Sequence, residues 1–154
     1  MTQPIAFIQS RWHADIVEAC AQAFLQEAGR LGCPPSRIDR FQVPGAFEIP
    51  LHVQRLARSG RYAAVAAAGL VVDGGIYRHD FVASAVIDGL MRVQLDTGVP
   101  VFTAVLTPIR FHEHDEHLRF FREHAETKGA ELARAMAETL GSLQRLPGAA
   151  LQPA

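Results

Sequence analysis

What this 154-residue chain lacks removes several classes of function before any motif is considered. Only two cysteines occur, Cys20 inside a helical pattern and Cys33 before a Pro-Pro pair, so no disulfide framework or cysteine-based metal site can be built. There is no excess of charge: 15 Lys and Arg against 16 Asp and Glu leave a formal charge of −1. That balance gives no electrostatic reason to expect nucleic acid or an anionic membrane as partner. The longest apolar run, residues 62–72, falls far short of the ~20 residues a membrane-spanning helix needs. The opening segment MTQPIAFIQ has no basic region leading into an apolar one, so no secretory signal is read there. What is left is a reduced, soluble, cytoplasmic protein, and its length fits a single domain over residues 1–154.

What the chain does have is two alternating periodicities. IAFIQ at 5–9 is a short run of strand formers. Over 13–31, Val17, Cys20, Phe24 and Leu31 recur at helical spacing, until LGCPPS ends the helix. RIDRFQV alternates imperfectly at Ile38, Phe41 and Val43 and reads as a second, more exposed strand. After a turn at Pro44-Gly45, a helix is predicted from about 47 to 58, with Pro50 tolerated in its first turn. YAAVAAAGLVV is continuously apolar, as a central parallel strand buried on both faces should be. From Phe81 the helical period returns through Val82, Val86, Leu90 and Val93, and Gly98-Val99-Pro100 stops it. VFTAVLT is predicted as another buried strand. The polar, histidine-rich stretch IRFHEHDEHLRFFREH then leads into a long helix with an apolar face of Leu132, Met136, Leu140 and Leu143. Residues 147–154 have no periodicity and read as a frayed tail.

Four β-α units in succession predict a three-layer α/β/α domain. Its flavodoxin-like, four-stranded parallel sheet should carry helices on both faces, joined by right-handed crossovers. Ligands of such sheets bind beyond the carboxyl ends of the strands. Three loops sit at those ends, SRWHAD, PGAFE and DGGIYRHD, and all three carry unusual residues.

In DGGIYRHD, Gly74 and Gly75 allow positive φ and close approach of a ligand, and the following amides lie near a helix start, where anions bind. The pattern is neither a Walker A loop nor GxGxxG. A plain strand-to-helix turn with solvated charges would use the same residues. Arg78 in a first turn opposes the helix dipole, however, and an anionic ligand would offset that. Trp12, the sole tryptophan, is suited either to stacking on a planar heterocycle or to plugging the core. His13 is assigned no role. Gly45, Ala46 and Phe47 form a turn whose main chain a flat ligand can read, while Glu48 favours the helix dipole there. The histidines His112, His114, His117 and His124 invite a metal reading, but H-x-H-x-x-H matches no closed structural zinc site. A polar lining of a shared pocket, or a solvated face, is the simpler account.

Taken together, VPGAFEIP, a buried strand leading to VVDGGIYRHDFVASAVIDGLMR, then GVPVFTAVLT and ETKGAELARAM resemble the lumazine synthases over about residues 5–140. The resemblance implies condensation of 5-amino-6-(D-ribitylamino)uracil with 3,4-dihydroxy-2-butanone 4-phosphate, giving 6,7-dimethyl-8-ribityllumazine, the penultimate step of riboflavin biosynthesis. It implies no metal or organic cofactor, and pentamers that can pair into decamers or close into shells, with sites between neighbouring subunits. Carried over by position, the pyrimidine-stacking aromatic falls on Trp12. Main-chain contacts to pyrimidine and ribityl fall on Ala46, Phe47, Glu48, Leu70, Val71 and Val72. The phosphate turn falls on Gly75 and Ile76, a further contact on Thr103, and the phosphate-binding arginine on His117. The common G-E-T-x-H pattern is G-G-I-Y-R here, so Arg78 replaces the proton-carrying histidine and His79 follows it. Arg78 is therefore expected to hold phosphate and stabilise negative charge, and His79 or the substrate phosphate to move protons. These departures resemble a second, divergent bacterial type, often decameric. The alternative is a non-catalytic flavin- or lumazine-binding or shell-forming protein on the same scaffold.

Overall fold

Two of the strands in this sequence bury every residue, polar ones included, and their place in the sheet explains it. In the computed structural model, which describes residues 3–109, 111 and 114–148, the chain alternates β1 (Ile5–Ser10), α1 (Ala14–Arg30), β2 (Ile38–Val43), α2 (Ile49–Arg58), β3 (Ala64–Leu70), α3 (His79–Thr97), β4 (Val101–Leu106) and α4 (Asp115–Gln144). The strands form one parallel sheet in the order β2-β1-β3-β4. β1 and β3 occupy the centre and bury every residue, as a sheet covered on both faces requires. α1 and α4 cover one face, where Phe7, Phe24, Ala66, Ala125 and Met136 share a core. α2 and α3 cover the other, around Ile8, Val53, Ala67, Val86 and Leu90. The three-layer, flavodoxin-like arrangement expected from the β-α alternation is the one observed. Among the described residues, no helix is long and apolar enough to cross a membrane.

The strand order reverses between β1 and β3, because the chain leaves β1 for β2 on one side and returns to β3 on the other. A crevice at the carboxyl ends of the strands is expected at such a switch point. The helices converge tightly beneath it. A Cβ on Gly129 would lie 2.1 Å from the Cys20 carbonyl oxygen, so only glycine lets α4 cross α1 at this distance. The Cys20 thiol, buried at the same crossing, is pushed up to about 12 by desolvation.

Several details differ from the sequence reading. β4 is not a doubly buried strand: it is the outer strand, with Thr103 exposed and Val101 and Leu106 half-buried, because nothing among the described residues pairs beyond it. Leu31 lies just past α1, and Leu31, Val82 and Leu143 are exposed rather than part of the buried faces. α2 is preceded by a separate 3-10 turn, Ala46–Glu48, and α3 begins two residues earlier than predicted, at His79. Most of the histidine-rich stretch is helix, since α4 begins at Asp115. Asp115 and Glu116 in its first turn complement the helix dipole, and no Gly or Pro interrupts the run from 109 to 128. Pro147 and Gly148 form a turn; the frayed-tail reading of 149–154 falls outside the described residues.

Candidate active site

β1 and β2 stay paired to their ends, where the Arg11 amide donates to the Val43 carbonyl at 2.9 Å. The chain then turns, and Trp12 emerges 59% exposed. That exposure rules out the core-plug reading and leaves an indole face open. The next residue, His13, sits in the left-handed region with φ 51° and ψ 51° and opens α1. Just beneath, the Ser10 hydroxyl is buried and finds no hydrogen-bond partner among the described residues.

The PGAFE turn is held by its own groups. The Gly45 amide donates to the Glu48 carboxylate at 2.9 Å, and His52 Nδ1 hydrogen-bonds the Glu48 carbonyl at 2.7 Å. Glu48 is thus committed to stabilising the turn through both its side chain and its carbonyl. Ala46 is buried, whereas Phe47 is 66% exposed at the tip.

At the end of β3, Leu70, Val71 and Val72 bury their side chains, and the Val71 amide extends the pairing by donating to the Leu106 carbonyl at 2.9 Å. The chain then breaks at the glycine pair. Gly75 has φ +76°, a conformation costly to other residues, and its amide donates to the Asp73 carboxylate at 2.7 Å. Ile76 and Tyr77 follow, both strongly exposed. Arg78 caps α3 and forms a two-point pair with Asp80, Nε to Oδ1 at 3.1 Å and Nη2 to Oδ2 at 2.8 Å. Its guanidinium also lies 4.3 Å from the centre of the Phe81 ring. The Asp80 hydrogen bond raises the Arg78 pKa further, and the same bond lowers that of Asp80. The dipole mismatch expected at Arg78 is therefore met within the chain, since Asp80 lies in the first turn of α3. His79, half-buried, is the first residue of that helix.

The predicted residues are only partly brought together. Trp12 stacks on His13, with ring centres 5.6 Å apart. His13 meets the edge of Phe111 at 5.0 Å, and Phe111 stacks on His117 at 5.8 Å. One aromatic row thus joins the Trp12 loop to the start of α4. Thr103 is not part of it. It pairs with Ala67 in mid-sheet, about 10 Å short of the end of β4 at three residues' rise, lies exposed on the outer strand, and accepts from the Val105 amide at 3.0 Å. Among the described residues, no group of three or more His, Cys, Asp or Glu side chains is placed to hold a metal ion; His112 lies outside them.

The sequence reading missed Asp73, Asp80, Phe111 and His13. An Asp two residues before the turn glycine is an Asx-turn signal. Arg-x-Asp at a helix start, with the acid favouring the dipole, was equally available. For Phe111 the only hint was an aromatic inside a polar run.

Comparison with known proteins agrees with this geometry over nearly the whole chain. The family profile described as 6,7-dimethyl-8-ribityllumazine synthase matches residues 2–144. A 6,7-dimethyl-8-ribityllumazine synthase of Rhodococcus erythropolis is 63% identical over 145 residues, covering 94% of each chain. A 6,7-dimethyl-8-ribityllumazine synthase 2 of Bradyrhizobium diazoefficiens is 57% identical over 146 residues, covering 95% of this chain and 87% of the relative. More distantly, a 6,7-dimethyl-8-ribityllumazine synthase of Deinococcus deserti is 37% identical, covering 92% and 89%. With a β2-β1-β3-β4 sheet whose three strand-end loops carry the Trp12, PGAFE and DGGIYRHD segments, and with relatives matched along nearly its full length, the chain belongs to the 6,7-dimethyl-8-ribityllumazine synthase family.

Proposed function

We propose that the protein condenses 5-amino-6-(D-ribitylamino)uracil with 3,4-dihydroxy-2-butanone 4-phosphate in the cytoplasm, at the carboxyl ends of β1, β2 and β3. The observation that carries this reading is the exposed Trp12 indole at the strand switch point, beside two turns rich in main-chain groups. The pyrimidine stacks on Trp12, and its polar edge and the ribityl chain are read by the main chain of Ala46, Phe47 and Glu48 and of Leu70, Val71 and Val72. The phosphate lies at Gly75 and Ile76, within reach of Arg78 and His117. The Gly75 amide, bound to Asp73 in the free protein, changes partner when phosphate enters.

The amine of the pyrimidine attacks the ketone and water leaves, forming an imine. Phosphate is then eliminated, the resulting enol tautomerises to a ketone, and the ribitylamino nitrogen attacks that ketone and closes the ring with loss of a second water. Holding both substrates together supplies much of the rate. Arg78 is no general base, because a guanidinium stays protonated at working pH. Asp80 takes two of its donors, and those that remain can neutralise the phosphate as it departs. His79 is the group in this turn able to carry a proton, with the substrate phosphate as the other carrier. No metal or organic cofactor enters this reading.

The site is completed by a second copy. Thr103, exposed on the outer strand β4 and two strands removed from β1, serves the neighbour's site in a pentamer-based assembly, a decamer.

Incubating the purified protein with both substrates and following lumazine absorbance tests this directly. Product should form at a rate EDTA does not change, and His117→Ala should raise KM for the butanone phosphate while leaving that for the pyrimidine. Binding without product would support the non-catalytic alternative. A rate abolished by chelator and restored by zinc would return the histidines to a metal role.

A further inference from the structure

His13 is the only non-glycine residue with positive φ among the described residues. In that region Cβ crowds the following carbonyl oxygen, so a side chain there needs a compensating contact. Helix capping does not provide it: His13 stands at the cap position of α1, yet its ring makes no capping hydrogen bond. Its contacts are with rings. In extended backbone, successive side chains point to opposite faces. Here the left-handed turn instead brings the Trp12 and His13 rings to 5.6 Å with 28° between their planes. The imidazole also meets Phe111 at 5.0 Å and 65°. Phe111 is buried and packs in turn on His117 at 5.8 Å and on Phe121 at 5.1 Å.

We infer that His13 is a positioning residue: its imidazole fixes the exposed Trp12 indole in its stacking orientation and ties it, through Phe111, to His117. The pyrimidine end and the phosphate end of the site then share one aromatic wall, anchored in the core at Phe121. This deepens the proposed function and rests on its reading of Trp12 and His117. The strained backbone follows from the same role, because a relaxed residue 13 would turn its ring away from residue 12.

His13→Asn and His13→Gly both accept the left-handed backbone while removing the imidazole, and His13→Phe restores a ring. Time-resolved fluorescence anisotropy reads the sole tryptophan in the ligand-free protein, and steady-state kinetics reads the substrates. The Asn and Gly variants should melt at or above the parent temperature and show faster indole depolarisation. Their KM for the pyrimidine should rise about fivefold or more, the low end of what a lost base–aromatic stack costs, with kcat nearly unchanged. His13→Phe should recover the anisotropy and most of the KM. An Asn or Gly variant with parental anisotropy and KM would overturn the inference, as would a lower melting temperature with the indole still held. Should the parent protein not bind the pyrimidine at all, the functional reading fails, while the anisotropy still decides whether His13 holds Trp12.

Discussion

At the scale of single residues, Trp12 carries most of the pyrimidine recognition in this reading. A large apolar ring left 59% exposed in a loop is stabilised by covering it, and a flat heterocycle does so while keeping its polar edge free for the main chain. Trp12→Ala should weaken pyrimidine binding by about 1–3 kcal/mol, and Trp12→Phe much less, as read by titration calorimetry. In the parent, a pyrimidine analogue should quench the tryptophan emission. Unchanged affinity in Trp12→Ala would remove the indole from the site. Trp12 was conspicuous in the sequence because it is unique and lies outside any periodic pattern, and Gly75 because a glycine pair after an apolar run marks a turn. The Arg-x-Asp spacing at the start of α3 was also there to be read, although the two-point pair it makes depends on rotamers. The row through Phe111 was not legible in the same way, because it depends on which distant loop each ring meets and is not written in local spacing.

Among the elements, the α1–α4 crossing is the most exacting contact. The atoms a Gly129 Cβ would strike are the Cys20 carbonyl oxygen at 2.1 Å and its carbon at 3.0 Å. Backbone cannot swing aside as a flexible side chain can, so the helices must separate. Gly129→Ala should lower stability by about 1–3 kcal/mol or more, measured as a shift in urea midpoint. Gly141→Ala, whose Cβ would meet only the Arg145 guanidinium at 3.6 Å, should be neutral or slightly stabilising, since alanine is the better helix former. The same helix pair carries an acid-sensitive clasp. Glu27 of α1 accepts from Arg30 and from Arg134 of α4, and these hydrogen bonds, Arg30's the larger, hold its carboxyl down at about 2. A depressed carboxylate contributes stability above its ordinary value of 4.5, and that contribution is lost as pH falls from there towards about 2. Glu27→Gln should therefore flatten the acid limb of a stability–pH profile over that window, and an identical limb would show the clasp to be idle. The β-α order could be read from the sequence because short apolar runs alternate with segments of 3.6-residue period along the chain. The edge position of β4 could not, because VFTAVL is nearly as apolar as a central strand and only its missing neighbour makes it an edge. The start of α4 was obscured for the opposite reason: the apolar residues its first turns bury, Leu118 and Phe121, are scattered among charged and histidine residues, so a polar run resembled a loop.

For the whole molecule, the unresolved demand is its exposed apolar surface. On α3, Val86, Leu90 and Val93 face the core, yet Ile87, Met91 and Leu95 form a second stripe at steps of four that points outward, with Leu95 74% exposed. Leu51 of α2, Phe47, Ile76, Tyr77 and Phe81 are exposed as well, and among the described residues β4 offers an unpaired edge. Monomers rarely leave so much apolar surface or a bare strand edge uncovered. A ring of copies would bury these groups and would carry Thr103 to a neighbour's Trp12 loop, which one protomer alone cannot do. Under the pentamer-based assembly proposed above, sedimentation at micromolar concentration should give a multiple of five chains. Leu95→Glu, placing a charge in the outward stripe, should yield smaller species with parental far-UV dichroism. Turnover should be lost in them although Trp12, Arg78 and His117 are untouched, because each site would lack its second wall. A Leu95→Glu monomer that turned over at the parental rate would show the site to be complete within one chain, and Thr103 would then have no part in it.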